Sequence, residues 1–104
     1  MARIVVIYKT PKDAAAFDKH YAEVHVPLVR KLAGLRRFEM SKGPIATPGG
    51  PSGLHLIATL HFDDMAALQK ALTSPEGQAA GADAGVLAPG AGDVQILMFD
   101  SHEA

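Results

Sequence analysis

The chain has 104 residues, 48% hydrophobic and 20% charged, with a formal net charge of −1. That is the length of one domain, expected to span residues 1–104, and the profile of a packed globule rather than a disordered segment. Ten basic residues spread along the chain leave no stripe for a phosphate backbone and argue against nucleic acid as partner; the absence of cysteine excludes disulfides and thiolate metal sites.

The first segment, Arg3 to Lys9 (RIVVIYK), is β-branched or aromatic in its middle and charged at its ends, the composition of a strand. Its apolar run is too short for a signal-peptide core or a membrane span, so the cytoplasm is the default location and no membrane is expected as partner. Both faces are apolar, Ile4, Val6 and Tyr8 on one and Val5 and Ile7 on the other, as in a central strand covered on both sides.

Asp13 to Gly34 carries the longest helical signal, with Thr10 or Asp13 as N-cap and Gly34 as C-cap. Phe17, Tyr21, Val24, Leu28 and Leu32 recur at the spacing of one helical face. Pro27 lacks the N–H that would bond to the Glu23 carbonyl, so the helix is predicted to bend or restart near Val26, beside His25. Leu35 to Lys42 reads as a second strand with Phe38 and Met40 on one face. Residues 43–53, GPIATPGGPSG, form a loop. Leu54 to Phe62 is a third strand, with His55, Ile57, Thr59 and His61 sharing its polar face. Asp63 is the expected cap of a second helix with the stripe Met65, Leu68 and Leu72, and Ser74-Pro75 ends it. A weaker helical stretch runs to about Ala84, then a loop, and Val94 to Phe99 is the fourth strand.

This order is that of an α+β, ferredoxin-like βαββαβ unit with a four-stranded antiparallel sheet. Both helices then cover one face of the sheet and leave an apolar face wet, a patch larger than a soluble monomer usually exposes. A homodimer packed through the open sheet face is the expected assembly.

The pattern Phe17-x3-Tyr21-x3-His25-x-Pro27-Leu28, behind the strand RIVVIYK, resembles the EthD family. The resemblance implies a dimeric α/β barrel and, less specifically, a role in degrading xenobiotic or aromatic compounds, with cofactor-independent isomerases, cyclases and oxygenases among the wider relatives. It assigns His25 to the motif histidine and Phe17, Tyr21, Pro27 and Leu28 to its framework.

His25 is the leading catalytic candidate, because imidazole both accepts and donates a proton near neutral pH; the competing reading is a histidine that ties off the backbone at the Pro27 bend. Tyr8, Phe17, Tyr21, Leu28 and Phe38 are candidate substrate-binding residues for a small apolar or aromatic ligand, and each could equally be core. No metal is expected: His20 and His25 stand about 140° apart on a regular helix, and His55 and His61 about 20 Å apart along a strand. No cofactor is expected either, although a haem-binding relative could recruit a histidine. Asp63-Asp64 fits capping better than paired acid chemistry. The sequence thus supports a cofactor-independent enzyme of proton transfer, isomerisation or oxidoreduction acting through His25, or alternatively a non-catalytic ligand-binding or accessory protein.

Overall fold

The β-branched N-terminal run forms strand β1 (Ala2–Lys9), and the computed structural model describes every residue from 1 to 104 around it. The long helical signal divides into α1 (Ala14–His20), a π-helical turn (Tyr21–His25) and α2 (Val26–Arg30). There follow β2 (Arg37–Met40), a miniature hairpin of β3 (Ala46–Thr47) and β4 (Gly50–Pro51), β5 (Leu54–Phe62), α3 (Met65–Thr73), α4 (Pro75–Leu87) and β6 (Val94–Asp100).

The four long strands make one antiparallel sheet in the order β2-β5-β1-β6. This is the ferredoxin-like topology expected from the element order, with β1 central. All helical segments lie on one face. Ala2, Ile4, Leu60 and Phe62 pack there against Val29, Leu32, Leu68 and Ala71, and a second cluster joins Tyr8, Leu56 and Ala58 to Phe17 and Tyr21. By strand alternation Val5, Ile7, Ile57, Leu97 and Phe99 face the other way. Leu97 and Phe99 are 41% exposed there. No helix is long and apolar enough to cross a membrane.

Several local expectations need correction. Asp63 does not cap α3. The Asp64 carboxylate accepts from the Ala67 N–H at 2.8 Å, while Asp63 receives both Nε and Nη2 of Arg36 at 3.0 and 2.7 Å. A bidentate pair with the turn before β2 is open to the first aspartate and not to the second. Gly34 is not the residue at the helix end: α2 stops at Arg30, and Gly34 turns the chain four residues later with φ +80°. Residues 43–53 are not wholly irregular, since Thr47 and Gly50 close the β3–β4 hairpin. The weak helix runs on to Leu87 because Ser74 caps it, its hydroxyl accepting from the Gly77 N–H at 3.1 Å, and Pro75 starts it.

The α3–α4 corner is tight at Gly77, where a Cβ would collide with the carbonyl oxygens of Ala71 and Leu72. Gly77→Ala is therefore expected to destabilise the fold by about 1–3 kcal/mol, although alanine is the better helix former by about 1 kcal/mol. The midpoint of urea unfolding checks the sign.

Candidate functional site

The site begins with the π-helical turn. Asp13 caps α1 by accepting from Ala16 N–H at 3.0 Å. Eight residues on, at Tyr21, the helix widens ahead of Pro27, which has no N–H to give and whose ring would press on the carbonyl one turn back. The Val26 N–H reaches Tyr21 O in an i→i+5 bond, a distortion frequent at functional sites. The extra residue in this turn shifts the buried face by one position. Phe17, Tyr21, His25, Val29 and Leu32 are buried, whereas Val24 is 40% exposed and Leu28 only half-buried. Regular α-helical phase put Val24 and Leu28 inside with His25 beside them; His25 is buried as that arc implied, while Val29 takes the inner position and Val24 and Leu28 turn outward.

The same turn overturns the expectation that His20 and His25 point apart. Both reach Asp83 on α4: His25 Nδ1 lies 2.9 Å from Oδ2 and His20 Nε2 lies 2.7 Å from Oδ1. A carboxylate can only accept, so each imidazole donates through the named nitrogen. The neutral form of His25 is then the Nδ1–H tautomer, whose lone pair is on Nε2. His25 and Asp83 are both largely shielded, with side chains 7% and 11% exposed, and His20 is a third exposed. The bend-stabilising alternative does not describe His25, whose partner is a carboxylate 58 residues away rather than a backbone group. Sequence reasoning missed Asp83. Its one signal was a lone acid in the Ala/Gly-rich run of α4.

His25 borders an apolar cavity between α2, α4 and the sheet. Ile4, Val6, Phe38, Leu60, Ala84 and Ile96 form most of its wall, with the rings of Tyr8 and Tyr21 beside His25. The cavity is small, about 80 Å³, below the ~300–1,000 Å³ of typical ligand pockets. A larger groove of about 720 Å³ lies at the end of the sheet. Its rim mixes Lys9, Lys12, Asp13 and Asp93 around His20, and neither His25 nor Asp83 lines it. Of the candidate binding residues, Tyr8, Tyr21 and Phe38 line that cavity; Phe17 packs behind the tyrosines and Leu28 against the other core cluster.

The aromatic rings form a chain: Tyr8 is edge-on to Tyr21 at 6.0 Å, and Tyr21 lies 5.0 Å from the His25 ring. Burial, and then the charge of Asp83, pushes the Tyr8 hydroxyl from its ordinary 10.0 up to about 12. Tyr21 is also raised, by burial first and by Tyr8 second. Both are neutral hydrogen-bond donors at physiological pH.

His55 and His61 do not share a face. Opposite the Tyr8–Lys9 step β5 holds one extra residue, His55, where the pairing jumps from Leu56 to Leu54. A bulge re-aims the side chain it carries, and His55 meets α1: its Nε2 lies 2.7 Å from Asp18 Oδ1 and its ring 5.1 Å from that of Phe17. His61 stays on the open face, donating from Nε2 to Glu39 Oε1 at 2.7 Å and accepting from Arg3 Nη1 at Nδ1 at 3.0 Å. No group of three or more histidine and acidic side chains is arranged to hold a metal ion.

The model of the EthD domain matches residues 9–90. The chain belongs to the EthD family. An uncharacterized 11.0 kDa protein in the thcB-thcC intergenic region of Rhodococcus erythropolis is 40% identical over 102 residues, covering 98% of this chain and 96% of that one. The crystal structure of an EthD family protein from Bacillus halodurans superposes with a TM-score of 0.87 at 31% identity, over 98% of this chain and 99% of the other. More distant folds share the architecture. SnoaB, a cofactor-independent oxygenase from Streptomyces nogalater, has a TM-score of 0.70 at 14% identity over 99% and 94% of the two chains. A dimeric ferredoxin-like protein of unknown function from Jannaschia sp. CCS1 has a TM-score of 0.68 at 21% identity over 96% and 98%.

The buried tyrosines of this EthD domain impose a pH dependence with a definite sign. Unfolded tyrosine ionises near pH ~10, whereas folded Tyr8 keeps its proton to about 12. Between those values the unfolded state binds fewer protons, so stability is full below pH ~10 and falls as pH climbs toward 12. With two tyrosines and no tryptophan in the chain, phenolate absorbance and thermal melting across that range read the effect directly. Tyrosine ionisation at pH ~10 in the still-folded protein would contradict it.

Proposed function

We propose that this EthD protein is a cofactor-independent enzyme of the cytoplasm that moves a proton on a small apolar or aromatic metabolite, of the kind met in xenobiotic degradation, with His25 as general acid and base. The observation that carries this reading is the buried 2.9 Å hydrogen bond from His25 Nδ1 to Asp83 at the wall of an otherwise apolar cavity. Asp83 holds the tautomer and stabilises the imidazolium, leaving Nε2 free to take a proton from a carbon acid and return it elsewhere. His20, bonded to the other carboxylate oxygen, fixes the plane of Asp83 and is a positioning residue.

A second copy completes the assembly. The open face carries Val5, Ile7, Ile57, Leu97 and Phe99, with Leu97 and Phe99 each 41% exposed, and exposed apolar side chains grouped on one face mark an interface. We infer a homodimer with the two sheets packed face to face, as a dimeric α/β barrel.

The catalytic reading is tested by hydrogen–deuterium exchange of the methylene protons of 2-indanone, a small ketone with acidic C–H bonds, followed by NMR in D2O. The wild type is expected to accelerate exchange, with His25→Ala losing at least about a hundredfold and Asp83→Asn losing activity while its melting curve stays cooperative. Equal rates for wild type and His25→Ala would instead favour a ligand-binding or accessory role.

For the dimer, light scattering should return twice the 10.9 kDa chain mass, and Leu97→Asp should shift the protein toward monomer by placing a charge in the buried patch. A monomer at micromolar concentration in the wild type would refute it.

A further inference from the structure

One polar atom in the cavity wall is fully buried and has no partner. The Tyr8 hydroxyl is buried without a hydrogen bond, on a residue only 1% exposed. Leaving a buried hydroxyl unpaired costs about 1–3 kcal/mol, and natural interiors rarely tolerate it. Nothing in the packing of β1 demands a hydroxyl here: phenylalanine would fill the same space between Phe17 and Tyr21 at no such cost.

The remaining wall is as informative as the orphan. Of its sixteen residues thirteen are hydrophobic, and His25, Gly77 and Gly81 are the others. No lysine or arginine reaches it. A carboxylate or phosphate placed there would be desolvated with no cationic partner, which is strongly unfavourable, and the nearby Asp83 carboxylate would repel it. At Gly81 a Cβ would meet open space, and α4 presents only Gly77, Ala80, Gly81 and Ala84 to the cavity.

We propose that the Tyr8 hydroxyl is the anchor for the oxygen of an uncharged carbonyl ligand, and that the cavity selects small neutral ketones, enones or their enol tautomers over carboxylates and hydrocarbons of the same shape. The inference rests on the proton-transfer reading of this same cavity and names its substrate class. In the reaction so defined, the C–H bond beside the carbonyl breaks, its proton passes to His25 Nε2 and its electron pair moves to the carbonyl oxygen. Tyr8 O–H hydrogen-bonds that oxygen as its charge develops. The proton returns from Nε2 to carbon, so no oxidant or reductant is consumed. Tyr8 is suited to this part because it holds its own proton to about pH 12; it stabilises the enolate as a donor without surrendering the proton.

The test compares three ligands of one shape by NMR titration of the dimer: 2-indanone, indane and 2-indanecarboxylate. In the wild type 2-indanone should bind about tenfold tighter than indane, the worth of one buried hydrogen bond, and the carboxylate should bind weakest. Tyr8→Phe should erase the preference for 2-indanone and leave the affinity for indane unchanged. Its melting temperature should stay level or rise, since an unpaired hydroxyl has been removed, whereas a structural role for the hydroxyl would lower it. Equal affinity of Tyr8→Phe and wild type for 2-indanone overturns the assignment of Tyr8, and tight binding of the carboxylate overturns the neutral class. Neither result touches the proton-transfer reading, which stands or falls on exchange in the His25 variant; failure of every ligand to bind would overturn both.

Discussion

The absence of one backbone N–H, at Pro27, organises the helical layer of this molecule. A regular α-helix cannot continue through it without losing a hydrogen bond and crowding the turn before it. The chain answers by widening the turn ahead of the proline, so that Val26 bonds to Tyr21. The added residue rotates everything after it relative to α1. His25 stays on the buried face while Val24 turns outward, and His20 and His25, which a regular helix would separate, converge on one carboxylate. The bend and the site are the same structural event.

Asp83 ties that event to the rest of the fold. It lies on α4, beyond four strands and a helix in sequence, and its two oxygens bind two imidazoles from the first helical layer. A buried carboxylate is costly unless its lone pairs are used, and here both oxygens are. The α3–α4 corner at Gly77 controls where α4 begins, hence where Asp83 falls. Packing of two helix backbones without an intervening side chain is thereby connected to the placement of an acid–base pair.

The two sides of the sheet are built on different terms. Toward the helices, apolar side chains close over the tyrosines and His25, and the Tyr8 hydroxyl is the one fully buried side-chain polar atom without a partner. On the open side, Arg3, His61 and Glu39 form a hydrogen-bonded border beside an apolar field. Chains that share this fold at low identity include a cofactor-independent oxygenase and a dimeric protein of unknown function.

Strand order, the central place of β1 and the ferredoxin-like topology were legible in the sequence, because hydrophobic periodicity and turn residues report local backbone state directly. So was the candidate status of His25, through its proline and its motif. The partner of that histidine was not. Asp83 sits 58 residues on in a helix whose Ala/Gly composition announces neither a face nor a site, and only tertiary packing brings the two together. The phase was right for His25 and wrong for Val24 and Leu28 for a related reason: periodicity assumes 3.6 residues per turn, and one π-helical turn suffices to turn Val24 outward and Val29 inward. The face of His55 was lost to a bulge, which inserts a residue without a mark in composition. The residues of this chain by themselves determined which segments are strands and helices and which side chain could carry a proton; the fold alone decided what that side chain faces, because orientation depends on register and packing that no local pattern encodes.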